Sequence, residues 1–270
     1  KPLINLSDIL ERQRKVESLV NHYFERMDIN DALTSVYDLE RLVARVSLGN
    51  INGRDLIQLK TSLQQIPGLV QAIAAIDEPD VWQAVIDKLE AYPEVIELIE
   101  RAITDNPPIQ ITEGNIIRDG YHEQLDRYRD AMNNGKLWIA MLQKEEREKT
   151  GIKTLKIGYN RIFGYYIEVT KANLAALPEG TYERKQTLAN AERFVTPALK
   201  EKETLILEAE EKSVELEHEL FVALREEIKG YSKQLQALAK LVAEIDVLQS
   251  FAHVSEAYHF SKPELSNSDR

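Results

Sequence analysis

Along the first hundred residues apolar positions recur at the three- and four-residue intervals of amphipathic helices. Leu6, Ile9, Leu10, Val16 and Leu19 form one stripe behind a cap at Ser7. Leu39, Leu42, Val43 and Val46 form another, closed by Gly49-Asn50. Asn52-Gly53 opens a third helix carrying Leu56, Leu59 and Leu63, which Pro67-Gly68 should stop. Shorter helices fit 69–75, 79–89 and 93–103, with short connections that predict a compact helical bundle. Asn106-Pro107-Pro108 then marks a boundary, because both prolines disfavour helix.

Beyond it the period changes. Tyr121, Leu125, Tyr128, Met132, Ile139 and Leu142 fall on an a/d seam with Gly135 at its one missing position, which predicts a helix over 121–148 about 42 Å long. So narrow a stripe on so long a helix needs a partner. Thr196-Pro197 supplies an N-cap and first-turn proline for one, in which Leu207, Val214, Phe221 and Ile228 recur every seventh residue before Gly230. Between these helices the pattern turns to period two. Ile152 to Ile157 and Tyr165 to Thr170 are β-favouring runs, with Tyr159 to Gly164 as a loop between them. Pro178-Glu179-Gly180 makes a second turn before an extended run from Tyr182 to Leu188. After Gly230, Leu235, Leu238, Leu241, Val242, Ile245 and Leu248 carry a further amphipathic helix.

The predicted fold is therefore mainly α: a helical core bundle and a long antiparallel two-helix stalk with a small β-rich tip. The divisions fall at 1–118 (core), 119–149 (ascending helix), 150–195 (β-rich tip), 196–230 (returning helix), 231–262 (helix returning to the core) and 263–270 (a polar linker). Composition agrees. Only 11 glycines and 9 prolines punctuate 270 residues, and 29% are charged. The chain has no cysteine, which excludes disulfides, thiol catalysis and cysteine zinc sites and suits a reducing cytoplasm. No apolar run approaches the ~20 residues of a membrane span.

Charge changes the picture more. The net charge of −11 speaks against a polyanionic partner, yet it is unevenly spread. Between Lys149 and Asn190 seven basic residues (Lys149, Lys153, Lys156, Arg161, Lys171, Arg184 and Lys185) stand against three acids, Glu168, Glu179 and Glu183. A basic island in an acidic chain is a local electrostatic footprint, and here it coincides with the β insert. Lys156, Arg161, Arg184 and Lys185 supply charge for phosphate contact, while Asn160, Gln186 and Asn190 add neutral donors that read no base sequence. Tyr165 and Tyr166 face opposite sides of one strand, so no stacking platform forms and duplex is favoured over single strand. Two bland readings stand beside this one: lysines that only keep a β edge soluble, and a coiled-coil arm that docks a protein without touching DNA.

Catalytic signatures are missing. Gly135-Lys136 has no glycine five residues earlier and is followed by Leu137, so it is no phosphate-binding loop. Glu215-x-x-His218 and Glu256-x-x-His259 copy the spacing of carboxylate-bridged di-iron bundles. His218, however, is flanked by Glu217 and Glu219 off the seam, where a solvated charged face is expected, and no metal site is assigned.

The stretch from Gly158 through Tyr159-Asn160-Arg161-Ile162-Phe163-Gly164 to Val169 closely resembles the clamp of bacterial MutS DNA mismatch repair proteins. Tyr182 to Phe194, followed by Pro197 and Leu199-Lys200-Glu201, is similar to that family's next segment. Asp38-Leu39-Glu40-Arg41-Leu42 and Gly114-Asn115-Ile116-Ile117-Arg118-Asp119-Gly120-Tyr121 extend the likeness over nearly the whole chain. The resemblance implies a lever of two long helices on a helical core, a clamp that grips the backbone of double-stranded DNA, and Asn160, Arg184, Lys185 and Asn190 near phosphates. Ala189 departs from relatives with lysine there, so one contact is lost. It further implies a homodimeric, cytoplasmic parent that works with other repair proteins and uses ATP and Mg. The ATP-binding domain would follow Arg270, and no Phe-x-Glu mismatch-reading wedge occurs. This stretch alone is expected to be no enzyme and to hold no cofactor.

Overall fold

A computed structural model of the chain describes residues 3–265. Contacts divide it into two compact units, one of 1–118 with 220–270 and one of 119–219.

The first unit is helical. It comprises α1 (Leu6–Asn21), α2 (Tyr23–Thr34), α3 (Leu39–Leu48), α4 (Gly53–Ala74), α5 (Pro79–Ile86), α6 (Pro93–Ala102) and α9 (Ser232–Ala257), with the end of α8 (Pro197–Lys229). Local chemistry sets the boundaries. Asn52 and Asp55 form a reciprocal capping box at the start of α4, and Gly49 closes α3 with φ +69°. The core is α4, with Leu56, Leu59, Leu63, Ile66 and Leu69 inaccessible to solvent, packed by α2, α3, α5 and α6.

Two expectations are corrected here, and one helix was not foreseen. Pro67-Gly68 does not stop the third helix; α4 runs through it to Ala74. Burying Leu63, Ile66, Leu69 and Ile73, at roughly 1.5–3 kcal/mol each, outweighs the ~3 kcal/mol of an interior proline. The second helix, α2, has no clear apolar stripe, because its buried positions are Ile29 and an arginine, Arg26. α1 starts at Leu6 behind Asn5, which places Ser7 inside the first turn. The Asn106-Pro107-Pro108 stretch lies in a loop whose ends are joined by an isolated bridge between Ile103 and Ile117.

The second unit contains α7 (Glu123–Thr150), the first part of α8, and strands β1 (Lys156–Asn160), β2 (Gly164–Thr170), β3 (Glu183–Thr187) and β4 (Ala191–Val195). Three contacts place α7 and α8 antiparallel: Arg129 pairs with Glu217, Gly135 meets Ile206, and the Lys202 ammonium lies 5.6 Å from the Trp138 ring centre. Gly135, the missing seam position, is where Ile206 inserts. A Cβ there would stand 2.8 Å from Ile206 Cδ1 and closer still to Cγ1.

The expected seam on α8 holds only in part: Phe221 and Ile228 are buried as expected, but Leu207 is exposed and Val214 only half-buried, while Leu199, Ile206, Ala209, Ser213 and Glu217 point inward. A strict seven-residue row drifts by ~20° per repeat on a straight helix, and the observed row follows the 3.6-residue period instead. Glu217, expected on a solvated face, is thus buried against Arg129, while His218 is exposed. The expected linker at 263–270 lies partly outside the described residues, from 266 onward. Among the described residues no helix is long and apolar enough to cross a membrane.

Candidate nucleic-acid interface

The four strands form one antiparallel sheet in the order β1-β2-β4-β3. β2 forms as the alternation foretold, but β1 lies later than expected. Ile152 and Leu155 are buried in the turn before it, and the strand runs through Tyr159 to Asn160. β4, not foreseen, is an inner strand: Ile167 pairs with Phe194 and Glu168 with Arg193. Ile167, Val169 and Phe194 pack with Ile139 and Leu142 of α7 and Leu199 and Ile206 of α8. Two helix carboxylates and an amide tie the sheet down. Tyr182 donates its hydroxyl to buried Glu146, the Tyr165 amide donates to Glu203 at 3.3 Å, and the Ile157 amide donates to Gln143 at 2.7 Å.

The opposite face carries a polar row across the strands. Lys156 sits 3.0 Å from Glu168, Arg193 donates to Glu168 and to Gln186 at 3.0 Å each, and its guanidinium lies 4.1 Å above the Tyr166 ring. Gly158 leaves room for that ring, since a Cβ there would stand 2.6 Å from the Tyr166 hydroxyl. Burial opposes the charge of Glu168, but hydrogen bonds from Lys156 and Arg193 outweigh it and hold its carboxyl below the usual range.

The seven anticipated residues do not form one patch. Lys156 and Gln186 belong to this row. Asn160 and Arg161 lie at the β1–β2 turn, four residues or roughly 13 Å along the strand from Lys156. The Asn160 side-chain carbonyl accepts the Ile162 amide at 2.8 Å, so it shapes the turn that presents exposed Arg161, Ile162 and Phe163. Asn190 is at the other end of the sheet, in the exposed β3–β4 turn. Arg184 and Lys185 are exposed on β3, where the register shifts between Arg184 and Gln186 and leaves Lys185 as the bulge. Arg184 stands 3.6 Å from Glu192 and Lys185 2.5 Å from Glu183. Lys200, in the first turn of α8, reaches the same Glu183 at 3.3 Å.

Sequence reasoning missed Lys200 and Arg193. Lys200 lies beyond the island in sequence and joins it only because α8 starts beside β3. Arg193 sits on a strand that was not anticipated. Chemically, the sheet offers cations at several heights along an exposed surface, which suits a charged polymer.

A family model described as MutS domain III matches residues 1–252. The chain is 60% identical, over 99% of its length, to a protein named DNA mismatch repair protein MutS from Geobacillus sp. (strain WCH70). It is 55% identical over its whole length to the protein of that name from Bacillus subtilis (strain 168), and 57% identical over 98% to that of Listeria innocua serovar 6a. It spans 31% of the length of each of these relatives.

Proposed function

The chain belongs to the MutS domain III family, and from that premise we propose that it is the lever and clamp portion of a DNA mismatch repair protein, holding duplex DNA by its backbone without reading sequence. The observation that carries this reading is the set of exposed cations Arg161, Arg184, Lys185 and Lys200 on and beside one small sheet, in a chain whose net charge is −11. Contacts of such donors to phosphate fix position and orientation on the duplex and carry no sequence information. The antiparallel helix pair would couple this clamp to the remaining domains of a longer cytoplasmic, homodimeric protein, in which ATP and Mg act elsewhere.

Titration of a fluorescent duplex at low salt tests the reading. Four cations each neutralising one phosphate give a slope of log K against log salt of about −3.6. A single clamp should bind weakly, with Kd about 10⁻⁴ M or above at physiological salt. Arg184→Ala with Lys185→Ala should weaken binding equally for duplexes of unrelated sequence and reduce the slope by about 1.8. Unchanged binding by a charge-reversed pair at these positions would return the chain to the protein-docking alternative.

A further inference from the structure

We propose that Glu183 is a built-in counter-ion that masks Lys185 and Lys200 and is displaced by a DNA phosphate when duplex binds. The inference rests on the DNA-binding reading above.

Three carboxylates serve the cations of the sheet and the adjoining turn of α8, and they are not equivalent. Glu168 and Glu192 have side chains only 16% and 13% exposed. Glu168 is fixed between Lys156 and Arg193 by cross-strand register, and Glu192 sits on an inner strand beside Arg184. These two belong to the framework. Glu183 is 61% exposed, at the first position of an edge strand. Its Oε1 takes the Lys185 ammonium at 2.5 Å and its Oε2 the Lys200 ammonium at 3.3 Å.

Two ammonium groups from different elements, a strand bulge and a helix start, therefore converge on the two oxygens of one carboxylate. A backbone phosphate offers two non-bridging oxygens in a similar arrangement, so the carboxylate occupies the place of the ligand. Exposed pairs of this kind contribute little to folding and hold their partners loosely. Lysine stems are flexible and can follow an incoming anion. Duplex DNA also gains free energy by releasing condensed counter-ions, a gain that a fixed carboxylate lacks. Glu183 thus weakens the grip without abolishing it, and Lys200 becomes a phosphate-binding residue of this surface.

The experiment uses the 270-residue chain, a fluorescent duplex and a salt series. Glu183→Gln should bind about two- to fivefold tighter at low salt, with the slope still about −3.6 because the same four cations meet phosphate. Adding Lys200→Ala to Glu183→Gln should remove most of that gain. Thermal unfolding should be the same for all of these proteins, which separates a binding effect from a folding one. If the parent chain binds but Glu183→Gln has the same or lower affinity, the masking role is overturned and the DNA-binding reading survives. If Lys200→Ala leaves the gain intact, the two-lysine cradle is overturned. If neither the parent chain nor Glu183→Gln binds duplex at the lowest salt, both readings fail together.

Discussion

In the helical unit Trp82 is fully enclosed and spends its indole N–H on the Ser18 hydroxyl at 2.9 Å; in the sheet-bearing unit Trp138 is half-exposed beside the Lys202 ammonium. The helical unit also buries Arg26 against Glu256 and Asp55 against Arg45, but the balance of apolar and polar contacts around its central helix differs from that around the sheet. Around α4 a continuous layer of leucine and isoleucine side chains reaches zero exposure. Around the sheet a smaller apolar cluster is supplemented by polar ties: Glu146 to Tyr182, Glu203 to the β2 backbone, Arg129 to Glu217, and the Lys156–Glu168–Arg193 row. Apolar burial is non-directional and tolerates repacking, whereas each polar tie depends on one geometry and one protonation state. The sheet-bearing unit should therefore be the more sensitive to single polar substitutions, to acid and to salt.

The largest expected effect breaks the comparison at its most buried tie. Arg129→Met leaves Glu217 enclosed without its partner and should destabilise the sheet-bearing unit by about 3 kcal/mol. Hydrogen exchange by mass spectrometry should show faster exchange in 123–219 and little change in α4. Adding Glu217→Leu should restore most of the loss, because a well-packed apolar pair can replace a buried ion pair. Faster exchange spread evenly over both units would remove the distinction between them.

Next come two helix-interior glycines with opposite surroundings. Gly135 is filled by Ile206, and nothing lies within 4 Å of the Cβ position at Gly68. Gly135→Val should lower stability by about 2 kcal/mol through overpacking, whereas Gly68→Ala should raise it by up to ~1 kcal/mol through helix propensity. Urea midpoints of the two variants should shift in opposite directions; equal shifts would mean that Ile206 does not hold its place.

The smallest effect is on pH dependence. Glu168 titrates lower in the folded chain than the ordinary 4.5. Its contribution to stability is therefore fully present above that value and lost as pH falls through the folded pKa. Glu168→Gln should flatten the acid-side fall in stability of the sheet-bearing unit, and acid titration followed by Trp138 fluorescence reads it. A variant whose acid-side fall matches the parent would show that the carboxylate row does not hold the sheet.

Much of the helical framework was legible because its signals are local. The Asn52–Asp55 capping box, Gly49, and Thr196, whose hydroxyl accepts the Leu199 amide at 3.3 Å, each act within four residues. The passage through Pro67 was not legible, since the burial that overrides the proline comes from side chains of other helices. β4 was missed because Ala191-Glu192-Arg193-Phe194-Val195 has no clean alternation. It is a strand because β2 and β3 pair with it on both sides. The candidate site divides in the same way. The basic residues could be counted, but their carboxylate partners are cross-strand neighbours, and register is a property of the sheet.

By itself the amino-acid order determined where several of the helices begin or end, which stretch is β-favouring, where positive charge concentrates and which family the chain resembles. All of these follow from side-chain identity and spacing along a few turns or one strand. Only the tertiary structure decided that Ile206 fills the space at Gly135, that Glu217 is buried, that Arg193 lies over Tyr166, and that Lys200 meets Lys185 across Glu183. Those facts depend on which surfaces the folded chain brings within a few ångströms, and that separation in space is not encoded by separation along the chain.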